Sequence, residues 1–531
     1  LASRRALVSS ANDKGGRSVS YQDEINTRLL QLQAEKDELL RGAKARGIEI
    51  TDPTATIEDG YAFEDEYDES LPKLSEQDPD KVAGEFLETQ KVNGTLTLRY
   101  WGDTFWKWQR GRYVELTKSD VRAMLVRELR REYRSIKVTD VNNILLNVSA
   151  GCAILSCHEM PRWVGGFDKI GRDWRHDEIV TTRNAIIHLP SFVDGRTPNK
   201  IMATPDLFSS IACEFDFNEG QSVPKPVRWL RFLDELFGTD HQSIELLRQW
   251  FGYCLVRDTK HHKILLAVGP PRSGKGTIAR VLRSIVGDGN CCAPTLSGLA
   301  TNFGLSPLIG KSLAIIGDAR LSGRTDVAAT TERLLSISGE DAVTIDRKHR
   351  EPLTVQLKTR FMVISNELPK LNDASGALAG RLLILRFTRS FLGAEDKGLQ
   401  AALDAERLGI FLWAIEGWRS LRDQGAFIKP DASEDLVEQM ADMVSPVSAF
   451  LRECCAVGPG YRTSLDTLYE SFRAWSEANG IERCSTKGVF SRDLSAAEST
   501  LRRTRSYDGG GYCKRMFVDG VALVNGSDNG W

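Results

Sequence analysis

The sequence has no long apolar run: nothing in its 531 residues approaches the ~20 consecutive apolar residues of a membrane-spanning helix. Cysteine is sparse, ten in all, and its placement argues against a disulfide scaffold. Cys291–Cys292 and Cys454–Cys455 are adjacent pairs, and Cys152, Cys157 and His158 lack a second half-site at zinc spacing. These read as structural thiols of a protein kept in a reducing cytoplasm. An excess of either charge is missing too. Net charge is −2, so no global field advertises nucleic acid, and any such surface must be local. The start, LASRRALVSSANDKGGR, has no apolar core of signal-peptide type, and it opens on Leu1 rather than Met, as a fragment or a processed product would. What remains is ordinary: 41% hydrophobic and 27% charged residues, the make-up of a globular protein. The length exceeds one core and suits about two to four domains.

The opening stretch is the least globular. Ile25, Leu29, Leu32 and Leu39 keep a helical spacing among charges, which predicts one amphipathic helix over 20–46. The acidic stretch EDGYAFEDEYDES at 58–70 then reads as a solvated linker, so residues 1–94 are expected to be helix and linker. From about residue 95 the chain is dense. LTLRYWGDTFWKWQRGRYVEL alternates like a hairpin; its Trp101, Trp106 and Trp108 can pack a core or stack single strands. Helical patterns run through 118–150 and 225–257, and residues 95–245 are expected to form a mostly helical domain. HKILLAVG, KSLAIIGD and TRFMVISN follow as short apolar runs separated by helical segments, suited to buried strands of a parallel sheet. These place an α/β core over 246–435.

The first of these runs leads into VGPPRSGKGT at 268–277, a phosphate-loop pattern followed by the helical TIARVLRSIVG. Gly269, Pro270, Pro271, Arg272, Ser273, Gly274, Lys275, Gly276 and Thr277 are the expected nucleotide-binding residues. Backbone N–H groups and the helix N-terminus would cradle phosphate, with Lys275 reaching the β- and γ-phosphates of ATP. Gly276 stands where a hydroxyl normally serves Mg²⁺. Thr277 lies ~100° further round the helix and is better placed for a phosphate oxygen. The metal would then rest on ATP oxygens, water and Asp318, the acid ending the second apolar run. Asn366, at the tip of the third run, can orient the attacking water. Arg381, in GALAGRLLILRF, is the expected arginine finger, with Arg386 and Arg389 as rivals.

Phosphate loop, strand-end acid, hairpin, Asn-tipped strand and arginine, in this order, resemble a superfamily 3 helicase. The resemblance is closer to the helicase half of phage and plasmid primase–helicases, with relatives in poxviruses. It rests on GPPRSGKGT, KSLAIIGDARLSG, SISGEDAVTIDRKHREPL, VISNELPKLNDASGALAGRL and LGIFLWAIEGWRSL, extends to RNAIIHLP and ATPDLFSS, and spans roughly residues 95–525. It implies an α/β fold of AAA+ type: a P-loop ATPase core with a parallel sheet, preceded by the helical domain and followed by a winged helix over 436–531. It implies a homo-hexameric ring in a bacterial host cytoplasm, moving 3′ to 5′ on single-stranded DNA during replication, with ATP and Mg²⁺. It matches Asn366 to the polar sensor and Arg381 to a finger acting on the neighbouring subunit. Many relatives carry two adjacent acids where this chain has Gly317–Asp318, which leaves the general base open; Glu340 and Asp341 are weak candidates.

The resemblance also makes DAVTIDRKHREPLTVQL a hairpin projecting into the channel, with Lys348 and His349 gripping DNA. The residues alone read as a solvated basic turn. The C-terminal segment runs helix, helix, helix and then a two-stranded wing, where Lys487, Arg492, Arg502, Arg503, Arg505, Lys514 and Arg515 concentrate charge toward DNA or a docking protein. Zinc-knuckle spacing and paired primase carboxylates are not found, so a primase domain or protein is an expected partner, along with single-stranded and forked DNA. Two rivals to a helicase stay open: a nucleotide phosphotransferase, since GKGT also suits such enzymes, and an initiator ATPase that binds and melts DNA without processive unwinding.

Overall fold

Asp78 accepts the Asp80 N–H at 3.0 Å and so caps the helix Pro79–Thr89, whose leading proline has no N–H to lose. The computed structural model describes residues 70–155, 160–164, 173–218, 225–317, 327–348, 350–369, 377–480, 484–507 and 514–524. The amphipathic helix expected over 20–46 and nearly all of the acidic stretch lie outside them. From Lys73 onward the chain forms one compact unit.

The packed part begins with strands β1 (Lys91–Val92) and β2 (Thr95–Leu96), then β3 (Leu98–Trp101), β4 (Thr104–Gln109) and β5 (Arg112–Leu116), all antiparallel. Their loops, Asn93–Gly94, Gly102–Asp103 and Arg110–Gly111, have positive φ at both residues, the two-residue geometry that follows strand twist. Helices Lys118–Glu132 and Val138–Gly151 close over this sheet, burying Leu98, Phe105, Val121, Leu125, Ile144 and Val148 together. Each such side chain contributes about 1.5–3 kcal/mol by leaving water. Strand β6 (Arg162–Trp163), the sheet of β7 (Ile179–Thr181), β8 (Ala185–His188) and β9 (Lys200–Met202), and β10 (Leu207–Phe208), which pairs with β6, follow. The region expected to be mostly helical is therefore mixed: its alternating, turn-punctuated stretches pair as short antiparallel strands. The expected boundaries also move. That at 94/95 cuts the β1–β2 hairpin, and those at 245/246 and 435/436 fall inside helices His241–Leu255 and Glu434–Val444.

The centre is a five-stranded parallel sheet, so the core is α/β. It is built from β11 (Ile264–Val268), β12 (Cys291–Cys292), β13 (Leu313–Ile316), β16 (Arg360–Ser365) and β17 (Leu382–Arg386), in the order β12-β13-β16-β11-β17. All five residues of β11 are buried, as a strand covered on both faces requires. Leu265 and Ala267 point into one core with the helices His241–Leu255, Lys275–Val286 and Arg407–Gln424; Ile264, Leu266 and Val268 point into another with the helix Val327–Ser338. Between β13 and β16 the chain makes that helix and an antiparallel hairpin of β14 (Ala342–Arg347) and β15 (Arg350–Gln356).

The last core gathers Phe450, Leu468, Phe472, Phe490, Leu494, Val518 and Val521. They come from helices Pro446–Cys454, Leu465–Ala478 and Lys487–Ala497 and from a sheet of β18 (Cys455–Ser464), β19 (Arg502–Tyr507) and β20 (Lys514–Leu523), in the order β18-β20-β19. Among the described residues no helix is long and apolar enough to cross a membrane.

Candidate functional site

β11 delivers the phosphate-loop residues at the C-terminal end of the sheet. Its register sets Val268 level with Ser365 on one side and Arg386 on the other. Phe387 N–H donates to Val268 O at 2.7 Å, which presses β17 against the loop. Gly269 has no room for a side chain, because a Cβ there would lie 2.2 Å from Phe387 O. Gly274, with φ +85°, is the residue before the helix Lys275–Val286, in the left-handed region that favours glycine. The segment after β17 straps the loop from outside: Ser390 Oγ donates to Pro271 O at 2.8 Å and Phe391 N–H to Arg272 O at 3.0 Å. The sequence reading missed this strap, since no motif distinguishes Ser390.

Lys275 is 5% exposed. Its ammonium donates to Gly269 O at 2.5 Å, Pro270 O at 2.7 Å, Ser273 Oγ at 3.0 Å and Asn366 Oδ1 at 3.4 Å. All four partners are neutral oxygens, and burial holds the ammonium below the ordinary lysine value. A buried cation matched only by neutral acceptors, beside the unpaired N–H groups of a helix first turn, fits a polyanion. Gly276 is exposed at that turn, and Thr277 Oγ1 accepts from Arg280 Nη2 at 3.0 Å.

Asn366 and the loop are thus brought together, because β16 lies between β11 and β13. Gly317 follows the end of β13; Asp318 lies outside the described residues, as does His349. Arg381 sits elsewhere. It precedes β17, which runs parallel to β11, so it stands at the opposite end of the sheet, about 16 Å of strand from the level of Val268. There its guanidinium donates to Leu335 O and to Ser338 Oγ (2.9 Å), closing the C-terminal end of the helix Val327–Ser338. Glu340 belongs to that same end, bonded by Thr259 Oγ1 and paired with Lys358 at 3.0 Å. Burial alone would raise its carboxyl, but those bonds prevail and hold it below the ordinary value. Neither Arg381 nor Glu340 can serve the loop of its own chain. The rivals Arg386 and Arg389 do stand at the loop's end, but Arg386 is paired with Asp435 at 2.9 Å and Arg389 donates to Glu235 O at 3.1 Å.

Lys348 is exposed in the turn of the β14–β15 hairpin, whose Val343 and Ile345 anchor it to the core below the sheet. In the C-terminal module the basic residues do not share one surface. Strand alternation puts Arg503 and Arg505 on the side of Met516 and Val518, toward the helices, where Arg503 donates to Ser491 at 3.3 Å. Arg502 faces the other way. The buried thiols of Cys152, Cys213, Cys254 and Cys291 are all pushed up to about 12 by burial, the state of inert core residues.

Residues 267–381 match the model of DUF5906, a family of unknown function. Among solved structures, the chain is similar to the A form apo structure of the NrS-1 C-terminal region, at 13% identity with a TM-score of 0.45. It is also similar to a second apo structure of that region, at 12% identity and 0.43. Each alignment covers 84% of this chain and 100% of the other. Likeness at that level assigns neither activity nor partner.

Proposed function

We propose that this chain is an ATP-driven DNA helicase, the motor part of a phage- or plasmid-type primase–helicase, working as a homo-hexameric ring that moves 3′ to 5′ on single-stranded DNA. One observation carries the reading: a buried lysine held by neutral oxygens at the end of β11, with Asn366 at the tip of the adjacent central strand beside it. When bound, ATP supplies the phosphoanhydride whose cleavage drives movement, and Mg²⁺ offsets phosphate charge. The N–H groups of the loop and of the helix first turn bind the phosphates, and Lys275 leaves its loop carbonyls to face them. Asp318 would hold the metal, since Gly276 has no hydroxyl to offer. The Asn366 amide orients water at the strand tip. Arg381, unable to reach its own loop, acts on a neighbouring subunit, and the C-terminal module and hairpin hold DNA. A winged-helix role for that module is supported by its order of helix, strand, two helices and two strands.

The test is Lys275→Ala in the full chain. Its expected result is loss of ATP turnover, with stability retained in thermal unfolding. Turnover at the parental rate would remove the site. Turnover with DNA melting but no strand displacement on long forks would assign the initiator role instead.

A further inference from the structure

The face of the C-terminal sheet turned away from the helices is built unlike an ordinary solvated surface. Val518 and Met516 of β20 point into the core, so Phe517 and Asp519 point out, joined by Arg502, Thr504 and Ser506 of β19 and Arg462 of β18. The guanidinium carbon of Arg462 sits over the Phe517 ring, 4.5 Å from its centroid. Its Nε pairs with Asp519 at 3.2 Å, and its Nη2 donates to Ser506 Oγ at 2.7 Å. The second carboxylate oxygen of Asp519 accepts from Thr504 Oγ1 at 2.9 Å. Asp519, the one acid on this face among the described residues, is thus engaged within the sheet, while Arg462 is held by Asp519 and Ser506 and keeps 45% of its side chain exposed. Beside it, β18 departs from the β20 register between Val457 and Arg462. The inserted Gly458-Pro459-Gly460-Tyr461 carries a 45% exposed Tyr461.

We propose that this outer face is a binding site for single-stranded nucleic acid, separate from the helix side that carries Arg503 and Arg505. The inference rests on the DNA-processing reading above and names the strand form that this face takes. A planar guanidinium held rigidly over an aromatic ring offers its open plane to an unstacked base, and any base can stack there. Arg502 beside it supplies phosphate charge, and the hydroxyl-bearing strand leaves a flat track for an extended strand. A duplex hides its base faces, so the arrangement selects single strands. A sheet face meant only for water needs neither an immobilised arginine nor an arginine–phenylalanine stack.

The experiment uses the full chain without nucleotide and a bromodeoxyuridine-bearing oligothymidine, photo-crosslinked and mapped by mass spectrometry, with binding followed by anisotropy across salt. Adducts should fall on the peptides carrying Tyr461–Arg462 and Phe517. Arg462→Ala with Arg502→Ala should weaken single-strand binding at least about fivefold and lower the salt slope by about 0.7, for the one phosphate contact that Arg502 supplies. Duplex binding should change less. If Arg462→Ala unfolds the module, Arg462→Lys replaces it: charge and slope should persist while the crosslink falls. Adducts confined to other peptides in folded protein, with an unchanged slope, would overturn the proposal. So would displacement of the oligonucleotide from this face by polyglutamate of equal charge, which would assign the face to an acidic protein. ATP turnover of the same preparation separates the two readings. Absent turnover with these crosslinks intact would sink the motor alone, and turnover without them would sink only this site.

Discussion

Gly276 is where the loop departs from the usual G-x-x-x-x-G-K-S/T pattern, and its surroundings say whether glycine is required there. A Cβ built on Gly276 meets only Arg280 Nη1, at 3.5 Å, an ordinary contact at the far end of a flexible side chain. Gly269 is the opposite case, closed off by the backbone of Phe387. Gly276→Ser should therefore fold normally and gain about half a kcal/mol of helix propensity. It should hold or improve magnesium affinity, read by metal titration of ATP turnover. A severe loss of turnover in folded protein would show that the bare backbone is needed against phosphate. Gly269→Ala should instead displace the loop from β17 and cost nucleotide binding, measured with a fluorescent ATP analogue; unchanged affinity would disprove the clash.

The hairpin β14–β15 is the element whose sequence said least about its role. Its inner residues, Val343 and Ile345, are buried, while the remaining side chains of β14 alternate outward and the tip is basic and exposed. That pattern is compatible with a solvated turn or with a DNA-gripping finger. Lys348→Ala separates them. A solvated turn tolerates alanine within about ±0.5 kcal/mol of stability and with no change of function. A gripping residue loses DNA-stimulated turnover and unwinding far more than basal turnover, and flattens the single-strand salt dependence by about one contact per subunit. Normal unwinding by Lys348→Ala combined with His349→Ala would retire the gripping role.

At the scale of the whole molecule, the parallel sheet has two chemically different ends. One carries the loop, Lys275 and Asn366. The other carries Arg381 and Glu340, whose side chains tie together Thr259, Lys358 and the end of the helix Val327–Ser338. Only a neighbouring copy could bring the second end to the first. Arg381→Ala should then do two things. Losing its bonds to the helix end should cost about 1–3 kcal/mol, seen as a lower unfolding temperature. It should also abolish turnover while sparing nucleotide binding. Mixing it with Lys275→Ala chains should restore part of the turnover, because a mixed interface can pair an intact loop with an intact arginine. Loss of stability without any rescue, in assemblies shown to be mixed, would leave Arg381 a purely structural cap.

Local chemistry was enough to read the buried β11, the glycine-bounded loop, the helix that follows it and the hairpin, because each depends on residues next to one another in the chain. Apolar runs predict buried strands, and glycine spacing predicts a backbone that can close around phosphate. The order β12-β13-β16-β11-β17 was not legible, and with it went the distance of Arg381 from its own loop: strand neighbours are chosen by packing across the whole core. The short antiparallel strands β6 to β10 escaped for a related reason, since strands of two to four residues have too few alternations to outweigh the helical stretches between them. Most plainly, Arg502 and Arg503 are adjacent in sequence and a single basic cluster by composition. Pairing with β20 puts them on opposite faces, because strand side chains alternate and only the partner strand decides which face is the core.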